Sequence, residues 1–307
     1  MKSLIMREAD ERRGSLPVEY IGFLARYENA NTQKVVNHNL KHFIFFLSAN
    51  GYTLKNTDQH IVNLYLNALR KKELSNATYN LNVSNIKKFL EYQGLKGFEY
   101  KTEPTEAYGK ARLVSESGFR NVIRYLEEKK NKAEKKHIKY LRDYILLNVL
   151  YLTGLRKNEV ISLKHGDIKL EAGEYFYRAR LKRGKEIKKQ FPDHLLAGIA
   201  ELKKAEGKGD GGYIFTSKYT AGKNRLSHRA LNKILNTYYQ KINNTAETVT
   251  VHSIRNLSGF KVFQITHDII KTQNHLNHAH LNTTQIYLDK LQSKKIDYYS
   301  EMAGAMN

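Results

Sequence analysis

Apolar residues in the first hundred positions recur every three or four residues, the period of a helix with one buried face. Val18, Ile21, Phe23, Leu24 and Tyr27 make a first short run, and Val35, Val36, Leu40, Phe43, Phe46 and Leu47 a second, longer one opening near Thr32. Gly51 closes it where a helix C-terminal glycine belongs. Thr57 is placed to cap a third helix carrying Ile61, Val62, Leu64, Tyr65, Leu66 and Leu69. Ser75 or Asn76 opens a fourth, with Leu81, Val83, Ile86, Phe89, Leu90 and Tyr92 on its face, ending near Gly94. Between Lys96 and Leu113 the period fades, and Gly97, Pro104 and Gly109 interrupt the chain, so a linker is expected there.

Periodicity resumes near Ser115, and a long helix with Ile138, Leu141, Ile145, Leu146, Val149 and Leu150 leads to the turn Thr153-Gly154. Two β-prone runs, Tyr175-Phe176-Tyr177 and Ile187 to Phe191, flank a polar turn at Lys182-Arg183-Gly184-Lys185 and predict a hairpin. Glu206 to Gly212 predicts a loop, and from Ser227 the pattern is helical again. The expectation is a mainly α chain with a small β-hairpin or sheet. A helical N-terminal domain spans 1–103, a linker 104–113, and a mixed α+β domain 114–307 that ends in a helical tail.

Composition adds a partner. Lys and Arg number 52 against 30 Asp and Glu, a formal net charge of +22 over 307 residues, which attracts polyanions and nucleic acid first. Hydrophobic residues at 41% suffice for real cores. The absence of cysteine excludes disulfides, thiolate nucleophiles and Cys-ligated zinc. The opening residues, Met1 to Arg13, lack the apolar core of a signal peptide, and the most apolar run, Tyr144 to Leu152, is interrupted by Asn148 and far short of the ~20 residues of a membrane span. An intracellular, cytoplasmic protein is expected, with no membrane contact.

Four segments carry candidate chemistry. In Thr153-Gly154-Leu155-Arg156-Lys157-Asn158-Glu159, glycine permits a tight turn that sets Arg156 at the start of a helix, with Glu159 one turn on; alone, the two read as an ordinary ion pair. The hairpin carries Arg178, Arg180, Lys182, Arg183, Lys185, Lys188 and Lys189 against one Glu186, and could follow a phosphate backbone. In His252-Ser253-Ile254-Arg255 the imidazole and guanidinium share a helix face. The last segment runs from Leu276 through Asn277 and His278 to Tyr287, which among 21 tyrosines would by itself pass as structural. Histidines 275, 278 and 280 lack a carboxylate at ligand spacing, so no metal is expected. The chain has neither a GxxxxGK[ST] nor a GxGxxG run, so nucleotide hydrolysis has no support.

Taken in order, these segments resemble the tyrosine recombinase family, which includes phage integrases and the Xer enzymes: a TGLR-x-x-E box, a hairpin lysine, an H-x-L-R box, and L-G-H followed nine residues later by tyrosine. Here Asn277 stands where the family has glycine, and Asn256 where a histidine commonly follows the second arginine. The resemblance covers Leu113 to the C-terminus as a catalytic domain, and the helical first hundred residues look like the family's core-binding domain. It implies a site-specific recombinase without cofactor, with Tyr287 as nucleophile, Arg156 and Arg255 clamping the phosphate, and His278 adding a hydrogen bond. His252 would aid proton removal, and a hairpin lysine would protonate the leaving 5′-oxygen. The K-G-x-K-E run favours Lys182 for that last role, and counting back from Pro192 favours Lys185. Glu159 and Asp167 are expected to orient Arg156. The resemblance further implies double-stranded DNA as partner, a homotetramer on DNA with exchange of C-terminal tails, accessory DNA-bending proteins, and association with the nucleoid. A type IB topoisomerase and an inactive DNA-binding protein of the same fold are the rival readings.

Overall fold

The computed structural model describes residues 18–104, 114–132, 136–180, 186–217 and 224–278. The chain divides into two compact units, Met1–Gly109 and Lys110–Asn307. In the first, the described residues form four α-helices: α1 (Val18–Ala25), α2 (Ala30–Ala49), α3 (Gln59–Arg70) and α4 (Asn76–Tyr92). Side chains cap three of them: Asn29 accepts from the N–H groups of Asn31 and Thr32, Asp58 from Ile61, and Ser75 from Thr78. Asp58 thus displaces Thr57 from the capping role; the Thr57 hydroxyl instead donates to Thr53 O.

The core of this unit joins Tyr20, Phe23, Leu40, Phe43, Tyr65, Ile86 and Phe89. Phe89 takes the edges of Tyr20 and Phe23 at ring separations of 6.1 and 5.4 Å. Leu64 and Leu81 face solvent instead of this core. Each lies two residues from buried neighbours on both sides, Val62 and Leu66 or Tyr79 and Val83, which on a helix is the opposite face. The irregular segment beyond Lys96 is fastened to the helices as far as Pro104. Glu103 pairs with Arg70 at 2.7 Å and exchanges backbone bonds with the Asn80 amide, and Gln59 bonds both backbone groups of Glu99.

The second unit is built around α6 (His137–Thr153), which packs against α5 (Glu116–Lys132), α8 (Leu196–Ala205) and α10 (Val251–Thr266). Residues 145–150 of α6 are all buried, so its apolar run is a core helix enclosed on every side. Among the described residues no helix is long and apolar enough to cross a membrane. One charge is embedded here: Asp143, fully buried, pairs with Arg142 at 2.6 Å and accepts from the Tyr238 hydroxyl at 2.8 Å, tying α6 to α9 (His228–Asn243). After the short α7 (Lys157–Ile161) come β1 (Ile168–Glu171), β2 (Glu174–Arg180) and β3 (Glu186–Gln190), an antiparallel sheet in that order. The last described helix is α11 (Ile269–Leu276), which packs on α10. The fold is therefore mainly α with one small sheet.

Candidate active site

The site is assembled where three chain turns meet. The first closes α6. Gly154 adopts the left-handed conformation, φ 60°, and its N–H bonds Leu150 O at 3.1 Å. A side chain there would also meet Leu276 Cδ2 at 3.0 Å and His275 Nε2 at 3.1 Å, so conformation and space both require glycine. Arg156 follows as the residue before α7. The buried Glu159 carboxylate accepts from its backbone N–H at 2.8 Å and from its guanidinium at 3.1 Å. This is the ion pair of the sequence and a helix cap at once. It leaves the Arg156 side chain 43% exposed, open to an incoming anion. Asp167 takes no part in orienting Arg156. Its carboxylate accepts from Lys164 N at 2.8 Å and closes the single turn His165–Asp167.

The second turn opens α10. The Thr250 hydroxyl accepts from Ser253 N at 3.1 Å, which fixes the start of the helix and with it His252 and Arg255 three residues apart. Arg255 is only 2% exposed, and its guanidinium donates to the carbonyls of Gly154 and Leu276. One side chain thus bolts the first turn to the third, the end of α11. That end approaches closely because Gly259 of α10 has no side chain: a Cβ would lie 2.6 Å from Leu276 Cδ1. Ser258 Oγ and His275 Nε2, 2.7 Å apart, add a polar bond beside it.

α11 terminates at Asn277 in the left-handed region, φ 51° and ψ 48°. The departure from the family's glycine is therefore a conservative one, because asparagine tolerates this conformation better than other side chains. Replacing Asn277 by alanine is expected to destabilise the second unit by about 1 kcal/mol, and by glycine to leave it unchanged or slightly more stable. Urea unfolding followed by circular dichroism measures both. Equal losses in the two variants would show that the side chain, not the backbone, matters at this position.

Beyond that cap, four consecutive carbonyls face cations. Lys189 of β3 donates to Asn274 O and, at 2.8 Å, to His275 O; Arg255 takes Leu276 O, and Arg156 reaches Asn277 O at 3.4 Å. A helix C-terminus carries partial negative charge and draws such donors. The imidazoles respond to the crowding. Burial pushes His278 down to about 4, helped by Arg255, Arg156 and His252, and burial with Lys189 and Arg255 does the same to His275. His252 is lowered by burial, then Arg255, then Arg156. All three rings are neutral at pH 7, able to donate one hydrogen bond and accept another. Burial and Arg156 lower Arg255 to about 10, and burial and Arg255 lower Lys189 to about 8. Three cations around one carboxylate, Glu159, make a pocket of positive potential suited to a phosphodiester.

Of the sequence-derived candidates, Arg156, His252, Arg255 and His278 are brought together; Lys182, its alternative Lys185, and Tyr287 lie outside the described residues. Lys189, Ser258 and Gly259 are additions that the sequence motifs do not contain. Gly259, a lone glycine within a helical pattern, carried a usable signal of close helix packing, whereas Lys189 was one basic residue among seven in the hairpin.

The profile of the phage integrase family matches residues 124–294, more than half of the chain. The tyrosine recombinase XerA of Pyrococcus furiosus is 29% identical over 224 residues, 73% of each protein. The tyrosine recombinase XerD of Listeria monocytogenes is 23% identical over 287 residues, 89% of this chain and 92% of the relative. Among solved structures, the XerH site-specific recombinase in a post-cleavage complex with palindromic difH superposes with a TM-score of 0.66 at 21% identity, over 86% of this chain and 77% of that one. A lambda integrase dimer bound to a COC′ core site gives 0.63 at 13% identity, over 91% and 95%. These likenesses establish the shared fold, and the extent of the profile match establishes descent: the chain belongs to the phage integrase family, the tyrosine recombinases.

Proposed function

We propose that this chain is a site-specific DNA recombinase that cuts and rejoins duplex DNA through a 3′-phosphotyrosine intermediate. The observation that carries this reading is the convergence of Arg156, Arg255, His252 and His278 at the end of α11, with His278 nine residues before Tyr287 in sequence. The Tyr287 hydroxyl oxygen attacks the phosphorus, the bond to the 5′-oxygen breaks, and the phosphate becomes a tyrosyl ester. Charge accumulates on the non-bridging oxygens, where two guanidiniums hold it with fixed, permanently charged donors. A phenol with an ordinary pKa near ~10 keeps its proton at pH 7. The neutral His252 ring is suited to take it, and neutral His278 to donate to the phosphate. Lys182 supplies the proton that the 5′-oxygen needs, with Lys185 as the alternative donor. The two esters are similar in energy, so rejoining needs no nucleotide hydrolysis, and no metal or cofactor enters the scheme.

Within this reading the helical first unit is the core-binding domain and the second the catalytic domain, gripping double-stranded DNA with Lys and Arg on the phosphates. The protein works in the cytoplasm on nucleoid DNA. Exchange joins two duplexes, so four protomers assemble on DNA with their C-terminal tails shared between neighbours, assisted where the site requires it by DNA-bending proteins. Integration, excision and dimer resolution all use this chemistry. A type IB topoisomerase shares the cut but releases supercoils without exchanging partners, and the small helical first unit favours the recombinase.

The test is covalent trapping of the wild-type protein on a nicked duplex carrying the candidate site. The expected result is a denaturation-resistant protein–DNA band, on a complex whose affinity falls steeply between 50 and 200 mM salt, by roughly 10³-fold or more for six phosphate contacts. Site-specific binding without any band would overturn the enzyme reading in favour of the inactive DNA-binding protein.

A further inference from the structure

We propose that Lys189 is a positioning residue for strand cleavage, a staple that fastens the β-hairpin to the C-terminal turn of α11 and so fixes the backbone from which His278 projects. The inference rests on the recombinase reading and assigns a role that the family's boxes do not contain. It starts from the register of β3. The strand alternates outward and inward positions, with Glu186, Lys188 and Gln190 exposed and Ile187 and Lys189 turned inward. Phe191, next in that inward series, is 2% exposed, and the cross-strand partner of Lys189 is the equally buried Tyr177. The period of two calls for an apolar residue at position 189, and an ammonium there loses hydration that a valine or leucine would not need.

A local rule broken in this way calls for a functional reason. Lys189 makes no ion pair with a carboxylate among the described residues. Its ammonium is spent on the carbonyls of Asn274 and His275, the first two of the four that end α11. The other two are held by Arg255 and Arg156, so the hairpin, α7 and α10 each contribute a cation to the same turn. The outward Lys188 shows the ordinary alternative, a surface bond to Glu171. Asn274 O also accepts from Asn277 N at 3.2 Å, and His278 N donates to Gln273 O at 3.1 Å. Holding residues 274–275 therefore holds the turn that delivers His278. The lysines that compete for proton donation to the 5′-oxygen, Lys182 and Lys185, precede β3 in sequence, whereas Lys189 lies within it.

The experiment compares wild type, Lys189→Met and Lys189→Arg by single-turnover cleavage under saturating DNA. Two suicide duplexes are used, one with the natural 5′-oxygen at the scissile position and one with a 5′-bridging sulfur, which departs without a proton donor. In parallel, amide hydrogen exchange is followed in the DNA-free proteins. The staple predicts that Lys189→Met folds, cleaves both saturating duplexes about 10- to 100-fold more slowly, and exchanges the amides of Asn277 and His278 faster. Lys189→Arg recovers most of the rate. Wild-type cleavage and unchanged exchange in Lys189→Met would make Lys189 a bystander. Normal cleavage of the sulfur duplex alone would reassign it as the proton donor. Should wild type form no adduct on either duplex, the recombinase reading falls, and the exchange comparison still decides whether the staple exists.

Discussion

A Tyr287→Phe variant is expected to bind its target duplex as tightly as wild type and to form no covalent adduct, a loss of at least ~10³-fold in trapped product. The phenyl ring keeps the shape and apolar surface of tyrosine and removes only the oxygen proposed to become the ester. Binding, which draws on phosphate contacts across the DNA interface, is left intact, whereas the chemistry has no second nucleophile. The surroundings of another tyrosine sharpen the comparison. Tyr177 lies near the site, feeling both Glu159 and Arg255, but it is 1% exposed and burial raises its pKa far above the usual phenol range. Its hydroxyl oxygen is enclosed, and its proton is held more tightly than that of a free tyrosine. Tyr177→Phe therefore serves as the control and is expected to form adduct at near wild-type yield. An adduct from Tyr287→Phe at the wild-type level, mapped by peptide sequencing to a different tyrosine, would sink the assignment.

What the sequence disclosed of this protein follows the range of the forces involved. The helices of both units announce themselves because a buried face repeats over many turns, and the α6 turn because glycine takes φ 60° without side-chain strain. β1 is not legible: Ile-Lys-Leu-Glu is too short to establish a period of two, and its pairing with β2 is a tertiary fact. The cap of α3 falls to Asp58 instead of its neighbour Thr57, a difference of one residue that local pattern rarely resolves. At the site, Arg156 with Glu159 and His252 with Arg255 are legible as helical pairs at i, i+3. That the two pairs and His278 converge is carried by the resemblance alone, because the contacts that join them, Arg255 to Gly154 and Leu276, span 101 and 21 residues. Asp167 shows the opposite error: a carboxylate at a suggestive distance along the chain proves to cap its own turn. Lys189 is invisible for a related reason, since only the register of β3 against β2 turns it inward.

Arg255 is the residue at which activity and stability are expected to separate most widely. Replacing it with methionine removes a guanidinium proposed to hold the phosphate, and cleavage is expected to fall by about 10³-fold, the loss typical of a preorganised oxyanion donor and equivalent to about 4 kcal/mol of barrier. Two opposing terms act on the fold. The variant loses the bonds to Gly154 O and Leu276 O, at roughly 1–3 kcal/mol for each buried carbonyl left without a donor. It also relieves the burial and the repulsion from Arg156 that together lower the arginine to about 10, an unfavourable term of about 3 kcal/mol. The terms are of one size, so the unfolding free energy is expected to move by no more than about 3 kcal/mol while catalysis collapses. Arg255→Lys keeps the charge but replaces a planar fork, which donates from two separate nitrogens, with a single point charge, and is expected to lose about 10²-fold in cleavage. Single-turnover cleavage beside urea unfolding reads both quantities. Cleavage within ten-fold of wild type in Arg255→Met would take this side chain out of the phosphate clamp and leave it only the structural tie between the α6 turn and α11.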